Sequence, residues 1–249
     1  MFTSLELHHF INIMKEITSE QKLGEVLLEF TQWLGFDWFA MGHHVDLARP
    51  PRQAIRVTNY DPRWIDQVIE QRYFADDPIH AASMRTVTGF RWDALPLTQI
   101  TPRQQCILAQ ARQYGLVAGY SVPIFLPGEY GGTCSFAGRS FEKLRPYALE
   151  LSDVVAAAAF ECARRIMHVR EGGLTAPVPV LKPREREALI LVGRGKTDEG
   201  IADVMGISKK TAHGYIENVR LAYGHLSRPS LVLRAVFDNQ FSFADAFWR

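Results

Sequence analysis

The stretch Ile201 to Val219, IADVMGISKKTAHGYIENV, carries small, apolar and cationic residues in the order of two short helices meeting at a tight turn. Ile201, Ala202, Val204 and Met205 supply the buried face of a first helix, Gly206 takes the turn, and Ile207 plugs the corner. Ser208 then offers a side-chain oxygen to the free N–H groups of a second helix, as an N-cap does. That helix opens Lys209, Lys210, Thr211, Ala212, His213, with cations and hydrogen-bonding groups in its first turns, where a helix laid in the major groove meets phosphates and base edges. The pattern predicts a helix-turn-helix. The competing reading is a helix pair inside a larger core with a solvated Lys-Lys step.

Charge distribution bears on that choice. The 249 residues carry a formal net charge of +1, which by itself favours no partner. Residues 1–180 hold 17 Lys and Arg against 19 Asp and Glu, whereas residues 181–234 hold 10 against 6. The positive end is the end with the two short helices. Cys106, Cys134 and Cys162 are widely spaced, so neither a set of disulfides nor a paired-cysteine metal site can be drawn from them, and a reducing cytoplasm fits. The amino terminus alternates charged and apolar residues and has no signal-peptide pattern. The apolar run Val154 to Phe160 is too short for a bilayer. No membrane partner is expected.

Upstream, Leu7, Phe10, Ile11, Met14 and Ile17, then Leu23, Val26, Leu27, Phe30, Trp33 and Leu34, recur at helical intervals on either side of Thr18-Ser19. Phe36 to Val45 and Ala54 to Asn59 read as strands. Asp61-Pro62 opens a helix carrying Trp64, Ile65, Val68 and Ile69, and residues 75–78 end that element. Thr101 and Gln104 have capping-box spacing and open a helix to about Tyr114. Leu116 to Leu126 and Tyr130 to Ala137 flank Pro127-Gly128-Glu129 as a β-hairpin. Phe141 to about Arg170 reads as one long helix. Helices, strands, then helices again predict an α+β class: an amino-terminal α/β/α sandwich with an antiparallel sheet over residues 1–170. Residues 171–180, with Gly172-Gly173 and two prolines, make a linker, and residues 181–249 form a carboxy-terminal all-α helix-turn-helix domain with an aromatic tail.

Beyond the linker, Leu181, Pro183, Arg184, Glu185, Arg186 and Glu187, then Gly195-Lys196-Thr197, Ile201-Ala202, Gly206-Ile207-Ser208 and Thr211 closely resemble the LuxR-type DNA-binding domain. A receiver domain, with its acidic cluster and late Lys, has no counterpart in residues 1–170. Asn59-Tyr60, Pro62, Trp64, Tyr73, Asp77-Pro78, Trp92, Gly115-Leu116, Gly119 and Pro123 instead resemble the quorum-sensing branch, which binds N-acyl-homoserine lactones. The resemblance spans essentially the whole chain.

It implies that Trp64 donates its indole N–H to the lactone carbonyl, Asp77 accepts the ligand amide N–H, Tyr60 donates to the acyl carbonyl, and Trp92 lies against the lactone ring. Tyr73 belongs to the same implied set, and Ala40, Gly42 and either Thr133 or Cys134 line the acyl end, the two small residues leaving room for a long or bulky group. In a dry pocket each unmet polar group costs roughly 1–3 kcal/mol, so one donor and two acceptors on the ligand demand such a set. Without the family, each Trp or Tyr is a core residue and Asp77 a helix cap. The resemblance further implies a homodimer on a promoter inverted repeat of double-stranded DNA, phosphate contacts from Lys196, Lys209, Lys210 and Arg220, and Thr197, Ser208, Thr211 and His213 nearer the DNA bases or backbone. RNA polymerase is the implied protein partner, and the nucleoid the implied location when bound. No cofactor is expected. Gly214, His213 and Tyr215 depart from the family's usual choices, so base preference does not transfer. A regulator answering to another small molecule, or to none, is the alternative. An enzyme is disfavoured: there is no metal-binding His cluster, no GxSxG turn and no phosphate loop, and His43-His44 reads as a surface pair at a strand end.

Overall fold

The computed structural model describes residues 4–52, 54–95, 100–126, 129–170 and 178–247. They divide into two compact units, one running to residue 126 and from 130 to 170, the other from 178 onward. The Pro127-Gly128 turn, residues 171–177 of the expected linker and Trp248 lie outside the described residues.

The amino-terminal unit opens with α1 (Ser4–Glu16) and α2 (Glu20–Leu34). Ser19 caps α2 by accepting the Lys22 N–H at 3.3 Å, and Leu23, Val26, Leu27, Thr31 and Leu34 make its buried stripe. Five antiparallel strands follow through the chain: β1 (Trp38–His43), β2 (Arg56–Thr58), β3 (Phe90–Arg91), β4 (Ala118–Ile124) and β5 (Gly132–Gly138), in the order β2-β1-β5-β4-β3. The expected hairpin is present as β4 paired with β5, from Ala118 opposite Gly138 to Ile124 opposite Gly132. β1 lies on the other side of β5, with Ala40 opposite Ser135 and Gly42 opposite Thr133.

Alternation then assigns faces. Phe39, Met41, Tyr120, Val122, Cys134 and Phe136 pack with α1, α2 and α6 (Ala148–Arg170) in the main core, where Phe10, Phe36, Phe39, Phe136 and Phe160 are essentially inaccessible. Burying each such side chain contributes roughly 1.5–3 kcal/mol. Trp38, Ala40, Gly42, Ser135 and Ala137 face α3 (Pro62–Glu70), α4 (Pro78–Ser83) and α5 (Pro102–Gln113). The result is the expected α/β/α sandwich. Asp61 caps α3, accepting from the Arg63 N–H at 2.9 Å, and the Thr101–Gln104 capping box of α5 is complete.

Two local expectations change. The last helix of this unit begins at Ala148 rather than Phe141, because residues 141–147 form turns around Pro146 and Tyr147 sits at φ +62°. His43-His44 is no surface pair: His43 is 5% exposed and accepts the Ile55 N–H at 3.1 Å, and His44 is stacked on His80 with ring centroids 4.2 Å apart.

The second unit contains α7 (Pro183–Gly193), α8 (Asp198–Met205), α9 (Lys209–Ala222), α10 (Arg228–Phe237) and α11 (Phe243–Phe247). Gly206 closes the α8–α9 turn at φ +66°, and Ile207 packs against a core of Ala188, Leu191, Val192, Ile201, Ala202, Met205, Ala212 and Ile216. Val204, expected inside, is 58% exposed. At 3.6 residues per turn Ile201, Ala202 and Met205 share one face of α8, and Val204 falls to the side of it. Helix α10 has its own signal, Ser227 as cap and Pro229 in the first turn. The aromatic tail splits: Phe241 is buried among Leu189, Val219, Leu231 and Ala235 of its own unit, whereas Phe243 and Phe247 are exposed. Among the described residues no helix is long and apolar enough to cross a membrane.

Candidate functional site

The sheet face turned to α3, α4 and α5 does not pack shut. It borders a cavity of about 140 Å3, lined chiefly by apolar side chains of which Ile55, Ile65, Val68, Ile79, Ile107 and Leu116 are representative. Polar groups enter at a few points: Tyr60, Trp64, Asp77, Trp92, His80, Thr133 and Ser135. An apolar chamber with few convergent polar groups is the usual form of a small-molecule site.

Each polar group is held by a local device. Trp64, 5% exposed, sits on α3 between the rings of Tyr73 (6.0 Å) and Tyr114 (5.4 Å). Asp77 caps α4, its Oδ1 accepting the Ile79 N–H at 2.7 Å, while Oδ2 stands 3.9 Å from His80 Nε2. The Tyr60 backbone N–H is held by Thr58 Oγ1 at 3.0 Å. Burial, and next to it the Asp77 and Cys134 groups, push the Tyr60 hydroxyl far above the usual phenol range, so it stays a donor. Among the described residues neither the Tyr60 hydroxyl nor the Trp64 indole N–H makes a hydrogen bond. Two donors and one carboxylate oxygen therefore border an apolar chamber.

Trp92 is differently placed. Its ring lies on β4 where Gly119 has no side chain; a Cβ there would come within 2.2 Å of the indole. Its Nε1–H donates to Ser121 Oγ at 2.8 Å, and Ser121 is linked to Ser135 at 2.7 Å. Trp92 thus offers a flat face, and Ser135 brings the far end of that chain to the cavity.

Three sequence-derived assignments shift. Tyr73 is not among the lining residues; it backs Trp64 and donates its hydroxyl to Gln110 Oε1 at 2.7 Å. Cys134 is fully buried on the opposite face of β5, in the helical core, so of the Thr133 and Cys134 alternatives it is Thr133 that lines the cavity. Gly42 lines it too, yet its missing side chain answers to the residue before β2: a Cβ would meet the Ile55 carbonyl oxygen at 2.8 Å. Ser135 and His80 were missed. Ser135 follows from the strand alternation that Ala40 sets through their pairing, whereas the α4 face carrying His80 has no comparable sequence signal.

In the second unit, Thr197 caps α8 by accepting the Gly200 N–H at 3.2 Å, and Ser208 caps α9 by accepting the Thr211 N–H at 3.1 Å. Their hydroxyls serve the helices first. Lys196, Lys209, Lys210 and Thr211 are exposed, Lys209 standing 3.8 Å from Glu199. His213 Nδ1 is bound to Asp198 Oδ2 at 2.8 Å. Arg220 is turned inward, donating to the Leu226 carbonyl at 2.9 Å and Glu217 at 2.6 Å, and closes the end of α9. Gly214 has open space where a side chain would stand. Among the described residues no cluster of His, Cys, Asp or Glu could hold a metal ion.

Comparison with known proteins matches residues 19–170 to an autoinducer binding domain and residues 179–235 to bacterial regulatory proteins of the luxR family. The quorum-sensing regulator RhlR of Pseudomonas aeruginosa is 25% identical over 227 residues, covering 90% of both chains. The transcriptional activator VanR of Vibrio anguillarum is 26% identical over 226 residues, covering 89% of this chain and 92% of that one. The fold resembles SdiA of Escherichia coli, with TM-score 0.63 at 18% identity over 95% of this chain and 98% of that one. A further likeness is to the N-acylhomoserine lactone dependent factor CepR2 of Burkholderia cenocepacia, with TM-score 0.51 at 16% identity over 67% of this chain and 96% of that one.

Proposed function

Because the chain belongs to the luxR family of bacterial regulatory proteins and carries an autoinducer-binding domain, we propose that it senses an N-acyl-homoserine lactone and answers by binding a promoter inverted repeat as a homodimer. It is a transcriptional regulator rather than an enzyme. The observation that carries the ligand reading is the set of Tyr60, Trp64 and Asp77 bordering an apolar chamber, with two donors that make no hydrogen bond among the described residues and one carboxylate oxygen whose nearest partner, His80 Nε2, is 3.9 Å away. An acyl-homoserine lactone has the complementary groups: two carbonyl acceptors, one amide donor and an apolar tail. Trp64 donates to the lactone carbonyl, Tyr60 to the acyl carbonyl, Asp77 accepts the amide N–H, and the ring lies on Trp92.

Ligand binding stabilises the amino-terminal unit in proportion to the logarithm of ligand concentration over Kd. Two chains then pair and set their α9 helices into successive major grooves about one turn of DNA apart. Lys196, Lys209 and Lys210 meet phosphates, Thr211 and His213 the bases. RNA polymerase is the protein partner at the promoter, and the site of action is the nucleoid in the bacterial cytoplasm.

Incubation with a panel of acyl-homoserine lactones, with an acylglycerol for comparison, followed by recovery and mass measurement tests the reading. Bound, chemically intact lactone is expected; ring-opened or deacylated product, or retention of the acylglycerol alone, overturns it. In gel shifts, Lys209→Ala with Lys210→Ala weakens DNA binding and reduces the salt slope by about 2.

A further inference from the structure

In the second unit one polar contact joins the exposed face of α9 to the helix before it. His213 stands in the second turn of α9 with its side chain 60% exposed, and its Nδ1 lies 2.8 Å from Oδ2 of Asp198, the first residue of α8. Asp198 is the better buried of the two, with 19% of its side chain exposed, and its Oδ1 takes Arg228 of α10 at 2.6 Å. Arg228 also donates to the Lys196 carbonyl at 3.3 Å. The ring is thus tethered to a carboxylate that is itself held in place.

The partner decides which ring nitrogen carries the proton. Burial raises the Asp198 pKa, but hydrogen bonds from His213 and Arg228 outweigh it and hold the group below the usual carboxylate range, so Asp198 is ionised and can only accept. His213 therefore donates through Nδ1, which fixes the tautomer. Arg228 already meets the carboxylate charge, so the contact needs only the Nδ1–H of a neutral ring and leaves Nε2 with its lone pair. Among the described residues Nε2 has no hydrogen-bond partner. The helix surface around it is open: a Cβ at Gly214 would have nothing within 4 Å, and Glu217, one turn on, is taken by Arg220 at 2.6 Å. Nε2 is an acceptor on a face that otherwise presents the exposed ammonium donors of Lys209 and Lys210.

We propose that Asp198 is a positioning residue for DNA reading: by holding His213 Nδ1–H it presents Nε2 as an acceptor, which selects the exocyclic amino group of cytosine or adenine over the keto oxygen of guanine or thymine at one position of each half-site. In the major groove cytosine N4 and adenine N6 carry donors, whereas guanine O6 and thymine O4 are acceptors that face the Nε2 lone pair unfavourably. The proposal rests on the reading of α9 as the helix that enters the major groove, and adds the chemistry of one base position to it.

The test is selection by the full chain, saturated with the acyl-homoserine lactone panel, from a library of duplexes with randomised inverted half-sites, followed by sequencing. One position per half-site is expected to favour C or A over G or T on one strand by about fivefold, the scale of a single hydrogen bond. His213→Ala, a change on an exposed face, should bring that ratio to one at that position alone. Asp198→Ala should do the same, because the freed ring takes either tautomer. Asp198→Asn should invert the preference toward G or T: Arg228 can only donate and so takes the amide oxygen, which turns the amide N–H to His213, makes Nδ1 the acceptor and puts the proton on Nε2. A merely structural role would weaken binding to every sequence and leave the ratio in place. A preference for C or A that survives both Asp198 variants, a preference for G or T at the His213-dependent position of the unaltered chain, or no position that depends on His213 overturns the proposal while the DNA reading stands. Enrichment of no sequence from the library overturns both.

Discussion

His213 of α9 is bound through Nδ1 to Oδ2 of Asp198, the first residue of α8, at 2.8 Å, and Asp198 Oδ1 takes Arg228 of α10 at 2.6 Å. One carboxylate thus ties three helices together. Burial pushes the Asp198 pKa up, but hydrogen bonds from His213 and Arg228 outweigh it and hold the group below the usual carboxylate range. A depressed folded-state pKa stabilises above the unfolded value near 4, and that stability is lost as pH falls through the folded one. Asp198→Ala is expected to cost about 1–3 kcal/mol, read as lost hydrogen-exchange protection in α8 and α9. Unchanged protection would show that the tie contributes nothing.

Gly119→Ala should expel Trp92 from its seat on β4 and break the bond to Ser121, since the new Cβ falls within 2.2 Å of the ring. Overpacking of this kind costs about 1–3 kcal/mol. Lactone affinity is expected to fall at least as far as it does for Trp92→Phe, measured by thermal shift.

Asp77 has two duties that separate by substitution. Asn keeps an oxygen for the Ile79 N–H but offers the ligand an amide as well as an oxygen, whereas Ala removes the cap too. Both variants should lose about tenfold or more in ligand affinity, about 1.4 kcal/mol. Only Asp77→Ala should also lower ligand-free stability, by about 1 kcal/mol. Equal stability of the two would remove the capping role.

The depressed His44 pKa of about 3 makes the amino-terminal unit acid-sensitive. The unfolded chain takes up a proton at the ordinary value of 6.5 and the folded one does not, so stability falls as pH drops below 6.5. Between pH 7 and pH 5 this group alone accounts for about 2 kcal/mol. Urea unfolding followed by tryptophan fluorescence should find that loss in the unaltered chain and a correspondingly smaller one in His44→Gln.

Thiol labelling should distinguish the cysteines. Cys106 is exposed, while Cys134 and Cys162 are buried with thiols pushed up by that burial. A maleimide is expected to modify Cys106 alone in the folded protein and all three in urea, counted by mass. Rapid labelling of Cys134 in the folded state would contradict its position behind the sheet.

Much of this molecule is written in local pattern. A period-3.6 stripe gives α2, cap residues such as Asp61, Thr101 and Ser208 give helix starts, and the Pro127-Gly128-Glu129 signal gives the β4–β5 pairing. The family pattern around Tyr60, Trp64, Asp77 and Trp92 points to residues that line one cavity. Contacts distant in sequence were not legible. Arg220 reads as a surface cation until Leu226 and Glu217 are brought beside it, and the hold of Asp198 on His213 Nδ1 has no local signal. Cys134 and Thr133 could not be told apart until the pairing with Ala40 and Gly42 fixed which of them shares the cavity face. Val204 reads as buried on its apolar character alone, whereas Ile201, Ala202 and Met205 make the face of α8 that packs.

The strict alternation along β1 and β5 has a consequence for how such a chain changes over generations. Phe39, Met41, Cys134 and Phe136 build the helical side, while Ala40, Thr133 and Ser135 border the chamber. Under the proposed function, substitutions at the second set should alter ligand preference while the packing that the first set makes is kept. Neighbouring residues on these strands thus face different surroundings, one set the helical core and the other the chamber, so the two can be altered separately.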